Sequence, residues 1–356
     1  MSRDGLFKVF ESQGEGIAVY VSQNVGVPIG GSSTKRLSLK IPKNKPRGFE
    51  VDYSVLAVGV EIPPTLAIPL RWRLELDGVA ISRELKPQFT SQLEETLYSR
   101  SLFDIKPLVS QGRRAETSHA VLKASFDAAH PIVLRDVSFF SVYRKPGSKQ
   151  AYSATYYSGV LVIEPGSKLS FSSSCSNLES SQATAYVALL LPSPLSKVSL
   201  TSSVTSVVVE GAGYKVVEIP VSARGDAIAI EYHQSEIKFY PRKAVIADAL
   251  FVCNKLDTPK LSVRLESLEL SGSVLNLKLS LENPDERSVD DVVLSVRHGV
   301  MNVKEIRLSR VEGKSITPIS LPVDLSKISV KPQRMIIKVE WVYDGILSNS
   351  FLEVKL

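Results

Sequence analysis

The chain has little of what most chemistry needs: two cysteines, Cys175 and Cys253, four histidines, three methionines and two tryptophans in 356 residues. Each shortage excludes something. The histidines, His119, His130, His233 and His298, have no second His, Cys or carboxylate at ligand spacing, so no metal site of three or four converging donors is expected. Asp127 and His130 stand three apart at a strand end, which suits a turn contact better than a general base. No nucleophile elbow and no Ser, His and Asp arrangement stands out. GGSSTK, residues 30–35, has the wrong glycine spacing for a phosphate-binding loop, and strands rather than a helix follow it. Arg224-Gly225-Asp226 reads as a hairpin turn. No cofactor is expected. No apolar run reaches the roughly eighteen residues of a membrane span. MSRDGLFKVFESQGEG has no apolar signal core, so a cytoplasmic, non-exported chain is expected. No Asn-x-Ser/Thr acceptor occurs.

What is present is a globular composition, 44% hydrophobic and 22% charged, long enough for two or three domains. The net charge of +6 favours anionic partners without requiring them. Eight Asn, nine Gln and the few Met and Cys, against abundant Lys, Arg and Glu, are a thermophile's composition.

Strand signals run from end to end. Segments such as GIAVYV, FEVDYSVLAVGVEI, LRWRLEL, IVLRDVSFFSVY, TAYVALLL and AIAIEY are short, apolar or alternating, and separated by Gly, Pro and Ser clusters. The single helix signal is SQLEETLYSR, Ser91 to Arg100, with a Ser cap and a Glu at the third helical position.

The first two thirds read as one β-domain written twice. Leu37 matches Leu169 at an offset of 132, Leu56 matches Val187 at 131, and Leu76-Asp77-Gly78 matches Val209-Glu210-Gly211 at 133. Phe103 then matches Val217 at 114, and Asp136 matches Asp248 at 112. One insertion of about nineteen residues in the first copy explains the jump. Shared positions such as Gly78 with Gly211 and Asp136 with Asp248 read as turns and core.

Domains are expected at 1–147, with a helical insertion at 82–100, at 148–257 and at 258–356. RKPGSKQAYSATYYSG, 144–159, is expected as the first linker and NKLDTPK, 254–260, as the second. The fold class is all-β: two tandem jelly-roll β-sandwiches followed by an immunoglobulin-like β-sandwich.

The order LRWRLELDG, FDIKPLV, HAVLKASF and IVLRDVSFFSVY in the first copy resembles the galactose-binding-like jelly roll, a family that carries its sites on variable loops. The second copy matches it less well. LKLSLENPDERSVDDVVLSVRHG resembles the second and third strands of immunoglobulin-like modules common in archaeal multidomain proteins. In layout, tandem jelly rolls with an immunoglobulin-like domain are similar to turret and capsid-associated proteins of archaeal viruses, which would place the chain in a virion.

Three candidate sites follow. Lys35, Arg36, Lys40, Lys43, Lys45 and Arg47 form an acid-free basic stretch that reads first as edge protection or a solvated loop, and as a site for phosphates or acidic glycans second. The second is the insertion 82–100, as an added binding loop or a plug closing one end of the sandwich. The third is Tyr152, Tyr156 and Tyr157, as sugar-stacking or interface residues. Cys175 and Cys253 could meet if the first long strand of copy two pairs with its last, as a disulfide or as two buried thiols. The expectation is a non-enzymatic structural or interaction protein assembling with itself or with a protein partner. The alternative is a carbohydrate- or polyanion-binding module using 35–47 or 82–100.

Overall fold

In a computed structural model, described for residues 5–30, 34–42, 46, 48–66, 70–111, 119–126, 131–173, 178, 182–222, 226–233, 243–255, 258–298, 301–326, 334–343 and 346–356, the chain is almost entirely strand. It divides into two compact units, Met1–Lys255 and Leu256–Leu356. Among the described residues no helix is long and apolar enough to cross a membrane.

Copy one contributes β1 (Gly5–Ile29), β2 (Thr34–Pro42), β3 (Glu50–Ile62), β4 (Leu70–Leu76), β5 (Val79–Leu85), β6 (Phe89–Gln92), β7 (Leu97–Asp104), β8 (His119–Phe126) and β9 (Ile132–Arg144). A short helix, α1 (Lys106–Ser110), follows β7. Copy two contributes β10 (Ala151–Ile163), β11 (Lys168–Ser173), β12 (Gln182–Leu191), β13 (Lys197–Thr201), β14 (Ser206–Glu210), β15 (Gly213–Pro220), β16 (Asp226–Tyr232) and β17 (Ala244–Lys255). Each copy has its own outer four-stranded sheet, β2-β8-β4-β5 and β11-β16-β13-β14. Their inner strands join into one nine-stranded sheet, β15-β12-β17-β10-β1-β9-β3-β7-β6.

The join is made by β1. Its first half pairs with β10 of copy two, from Gly5 opposite Val160 to Glu15 opposite Ala151. Its second half pairs with β9 of copy one, from Gly16 opposite Arg144 to Ile29 opposite Ile132. The change of partner falls at Gly16, where φ is +140° and a Cβ would run into the Tyr143 carbonyl. On β17, the Asn254 side chain donates to the Ala18 carbonyl at 2.9 Å and accepts from its N–H at 3.0 Å, acting as a piece of strand.

Period-two alternation decides which side chains go where. On β3 and β9, Leu56, Val58, Val60, Leu134 and Phe139 pack against Trp72, Leu74, Leu122 and Ala124 of the outer sheet to make the core of copy one. The opposite face of the same strands carries Val55, Phe140 and Val142, which pack with Ala18, Tyr20, Tyr152, Tyr156 and Leu250.

The structure corrects two expectations here. SQLEETLYSR is not helical: Ser91 and Gln92 end β6, Leu97 to Arg100 begin β7, and Leu93 N–H bonding the Thr96 carbonyl at 2.8 Å closes the turn between them. A capping pattern is a local preference, and burial of Tyr98 and Arg100 on one strand face outweighs it. The expected linker is mostly strand as well. Only residues 145–150 form a turn, and β10 begins at Ala151.

The strand pairings refine the register of the duplication. Gly59 lies opposite Asp136 and Ala188 opposite Asp248, so Gly59 matches Ala188, 129 residues on. By the same reasoning Tyr98 matches Tyr214, and Arg100 matches Val216. The sequence offsets slipped by two residues, which leaves every side chain on its proper face and is therefore invisible to an alternation pattern.

The second unit contains β18 (Ser262–Ser271), β19 (Val274–Asn283), β20 (Val289–His298), β21 (Met301–Val311), β22 (Ser315–Asp324), β23 (Arg334–Tyr343) and β24 (Ile346–Lys355). They form two sheets, β18-β19-β22 and β21-β20-β23-β24, an immunoglobulin-like arrangement of seven strands. Alternate residues of both sheets, among them Leu277, Leu279, Leu294, Val296, Ile337 and Trp341, form its core.

Candidate functional site

Two polar constellations stand out in the first unit, one sealed and one open. The sealed one is centred on Arg100, which projects from β7 between the two copies and is fully buried. Its guanidinium donates to Asp136 Oδ1 of β9 at 2.5 Å and to Asp248 Oδ2 of β17. It also donates to Ser158 Oγ at 2.9 Å and Ser138 Oγ at 3.0 Å. Asp248 in addition accepts from Tyr20, Tyr156, Ser138 and Ser158 at 2.7–3.0 Å. Tyr98 donates to Asp136 Oδ2 at 2.5 Å. Tyr214, its counterpart in copy two, bonds Ser22 at 2.9 Å.

The electrostatics follow from burying one cation with two carboxylates. Burial pushes the Asp136 carboxyl up, against the pull of Arg100 and the Tyr98 hydroxyl. Burial pulls the Arg100 guanidinium down, but attraction from Asp248 and Asp136 outweighs it and holds the group well above its ordinary value. Tyr20, Tyr98, Tyr156 and Tyr214 are all raised well above the usual phenol range, chiefly by burial. These groups are cut off from solvent and fully engaged with one another. Their arrangement ties the two copies together.

The insertion in copy one is what delivers this tie. Phe89 of β6 stacks on Phe7 of β1, with ring centroids 5.2 Å apart, and packs with Val160, Leu190, Tyr214 and Val245 of copy two. In the turn after β6, Glu94 accepts from the Lys243 N–H of copy two at 2.9 Å. Tyr152 and Tyr156 are fully buried, and the Tyr156 hydroxyl is committed to Asp248. Tyr157 is half-buried, with its ring 6.2 Å from Phe171.

The open constellation lies on the outer face of the sheet β2-β8-β4-β5. Arg36 and Thr34 of β2, Lys123 and Ser125 of β8, and Arg73 and Glu75 of β4 surround a shallow depression of about 470 Å³. Arg36 stands opposite Lys123, and Lys123 opposite Glu75. Thr34 stands opposite Ser125, and Ser125 opposite Arg73. Arg73 Nε pairs with Glu75 Oε1 at 2.5 Å. Lys35 is exposed on the same strand, and β2 is an edge of its sheet, so its cations also serve as edge protection. Lys40 lies within β2, while Lys43, Lys45 and Arg47 fall outside the described residues. Arg73 and Lys123 were not legible as partners of the basic stretch, because only strand pairing brings them beside Arg36.

Other sequence candidates resolve individually. Cys253 is buried and disulfide-bonded; Cys175 lies outside the described residues. Asp226 opens β16 and accepts hydrogen bonds from Ser203, Ser222 and Ala227; Arg224 and Gly225 lie outside the described residues. His233 bonds Ser199 Oγ at 2.6 Å across the outer sheet of copy two, a pair the sequence did not suggest. His119 opens β8, His298 ends β20, and Asp127 and His130 lie outside the described residues. Among the described residues no group of three His, Cys, Asp or Glu is placed to hold a metal ion.

No protein-family model matches the chain, and no curated protein does. Among solved structures it is similar to the β-glucuronidase of Parabacteroides merdae, at 12% identity and a TM-score of 0.23, over 58% of this chain and 27% of that one. It is also similar to the β-glucuronidase of Ruminococcus gnavus, at 9% identity and a TM-score of 0.22, over 57% of this chain and 35% of that one. The chain thus spans about a third or less of the proteins it matches, and the shared feature is β-sandwich architecture. The similar structures are enzymes, which corrects two expectations, that of a non-enzymatic structural or assembly protein and that of a chain that is not an enzyme.

Proposed function

We propose that the chain binds an anionic carbohydrate or similar polyanion on the outer face of β2-β8-β4-β5. The observation that carries this reading is the convergence of Arg36, Arg73 and Lys123 from three strands around one depression. A sheet holds such side chains at fixed spacing, so several weak contacts act together on one ligand. In the insertion 82–100, Phe89 and Glu94 are engaged with copy two, which leaves the binding role to the outer sheet.

Retention on immobilised heparin, measured against salt, tests the reading. The wild-type protein is retained and elutes as rising ionic strength screens the contacts. The double change Arg36→Glu and Lys123→Glu lowers the eluting salt concentration sharply, whereas the double change Arg307→Glu and Arg310→Glu, of the same charge and at exposed positions of the second unit, leaves it nearly unchanged. Equal losses from both variants would reduce the effect to overall charge and remove the assigned site.

A further inference from the structure

Resting on the binding face just proposed, we infer that its ligand is an acidic oligosaccharide rather than a phosphate chain, and that Glu75 is the group that selects it. Among the described residues the depression is lined by Thr34, Arg36, Arg73, Glu75, Lys123 and Ser125, none of them aromatic. Nucleobases therefore have no platform on which to stack, and stacking is a main source of single-strand affinity. Across the strands the central row runs Arg36, Lys123, Glu75, that is cation, cation, carboxylate. A phosphate chain offers only acceptors and like charge to that carboxylate.

A sugar acid offers both kinds of group. Its carboxylate or sulfate suits Arg36 and Lys123, while its ring hydroxyls are donors in need of an acceptor. Glu75 is placed to be that acceptor. Arg73 holds its Oε1, its side chain is only 13% exposed, and a carboxylate has about four lone-pair sites, so Oε2 retains capacity. The hydroxyls of Thr34 and Ser125, opposite each other on neighbouring strands, supply further donors and acceptors for ring oxygens. Neighbouring strands place directly opposed positions about 5 Å apart and diagonal ones roughly 7–8 Å apart. An acid group between Arg36 and Lys123 therefore leaves the attached ring over Glu75 and Ser125.

The variant Glu75→Gln gives the two ligand classes opposite signs. Removing a negative charge strengthens binding of any ligand held by charge alone, but it weakens a ligand whose hydroxyls bond that carboxylate. Binding is measured by calorimetry with three probes: a heparin hexasaccharide, a hexamer of galacturonic acid and inorganic polyphosphate of matched charge. The two saccharide arms separate sulfate from carboxylate as the acid group. The expected result is a loss of about tenfold, some 1.4 kcal/mol, for at least one saccharide, with polyphosphate binding unchanged or tighter.

Tighter binding of all three probes by Glu75→Gln would overturn the selection by Glu75 while leaving a basic binding face intact. No binding of any probe to the wild-type protein would overturn the face itself, so the two failures are distinguishable. Glu75→Asp keeps the charged acceptor and preserves the wild-type order of preference. A changed order in a variant whose thermal unfolding matches wild type would count against the assignment.

Discussion

Arg100 and Asp248 come from different copies of the duplicated domain, yet their side chains meet in the fully buried centre of one sheet. Asp136, the counterpart of Asp248 in copy one, takes another nitrogen of the same guanidinium. The duplication supplied two equivalent carboxylates and only one arginine, because Val216 occupies the matching place in copy two. One cation thus serves both copies.

Changing Arg100 to Met should be strongly destabilising. It leaves two carboxylates buried without their cation, a situation that typically costs about 3–5 kcal/mol. Without the guanidinium's pull, burial raises the Asp136 carboxyl further in the folded state, so the deficit shrinks as pH is lowered. Urea unfolding at several pH values measures this, and an unchanged midpoint at neutral pH would discard the account of the buried centre.

Asp136 makes a separate contribution to pH dependence. Burial raises its folded-state pKa above the unfolded value. Its contribution is therefore fully present below about pH 4, the ordinary carboxylate value, and is lost as pH rises through its folded value. Asp136→Asn removes this decline, so its stability relative to wild type improves steadily from acid to neutral pH. A parallel pair of stability curves over that range would contradict the assignment.

Gly59 leaves room for the pair formed by Asp136 and Tyr98. A Cβ at this position would fall on the Asp136 carboxylate and the Tyr98 hydroxyl. Gly59→Ala should cost about 1–3 kcal/mol by overpacking. At Gly14 an added Cβ would meet only ordinary contacts with Tyr152, so Gly14→Ala is the control and should come close to neutral. Thermal unfolding of the two variants side by side decides the matter.

In the second unit the sign of the pH effect is reversed. Hydrogen bonds from Arg287 hold the Asp285 carboxyl down at about 2. Its contribution is present above the ordinary carboxylate value and is lost as pH falls from about 4 towards 2. The pair is partly exposed, so the effect stays below about 1 kcal/mol. Asp285→Asn should flatten the acid limb of unfolding followed through Trp341 fluorescence, and an unaltered limb would exclude this pair as its source.

The sequence was informative where physical signals are local. Alternation and turn residues mark most of the strands, and the matching landmarks reveal the duplication, including Asp136 with Asp248. Their role was not legible. They read as turn and core positions, because the cation that they share lies on β7, reaches Asp136 only across Gly59 of β3, and meets Asp248 of β17 only in the folded molecule. The Ser and Glu of SQLEETLYSR imitate a helix start, and nothing local shows that Tyr98 and Arg100 must both face a buried centre. The basic stretch was visible from Lys35 to Arg47. Its neighbours Arg73 and Lys123 are distant in sequence and come alongside only through strand pairing.

The double engagement of β1 sets the order in which this molecule can be completed. A ribosome makes β1 before its two partners, β9 and β10, which emerge only after the rest of copy one, and β17 with Asp248 comes later still. Such distant pairings slow folding, because the chain loses freedom before the contacts repay it. Until β17 arrives, Arg100 has only half of its counter-charge and β1 keeps open hydrogen-bonding positions. The nascent chain is therefore most exposed to misassociation during the synthesis of copy two, when a chaperone would have the most to protect.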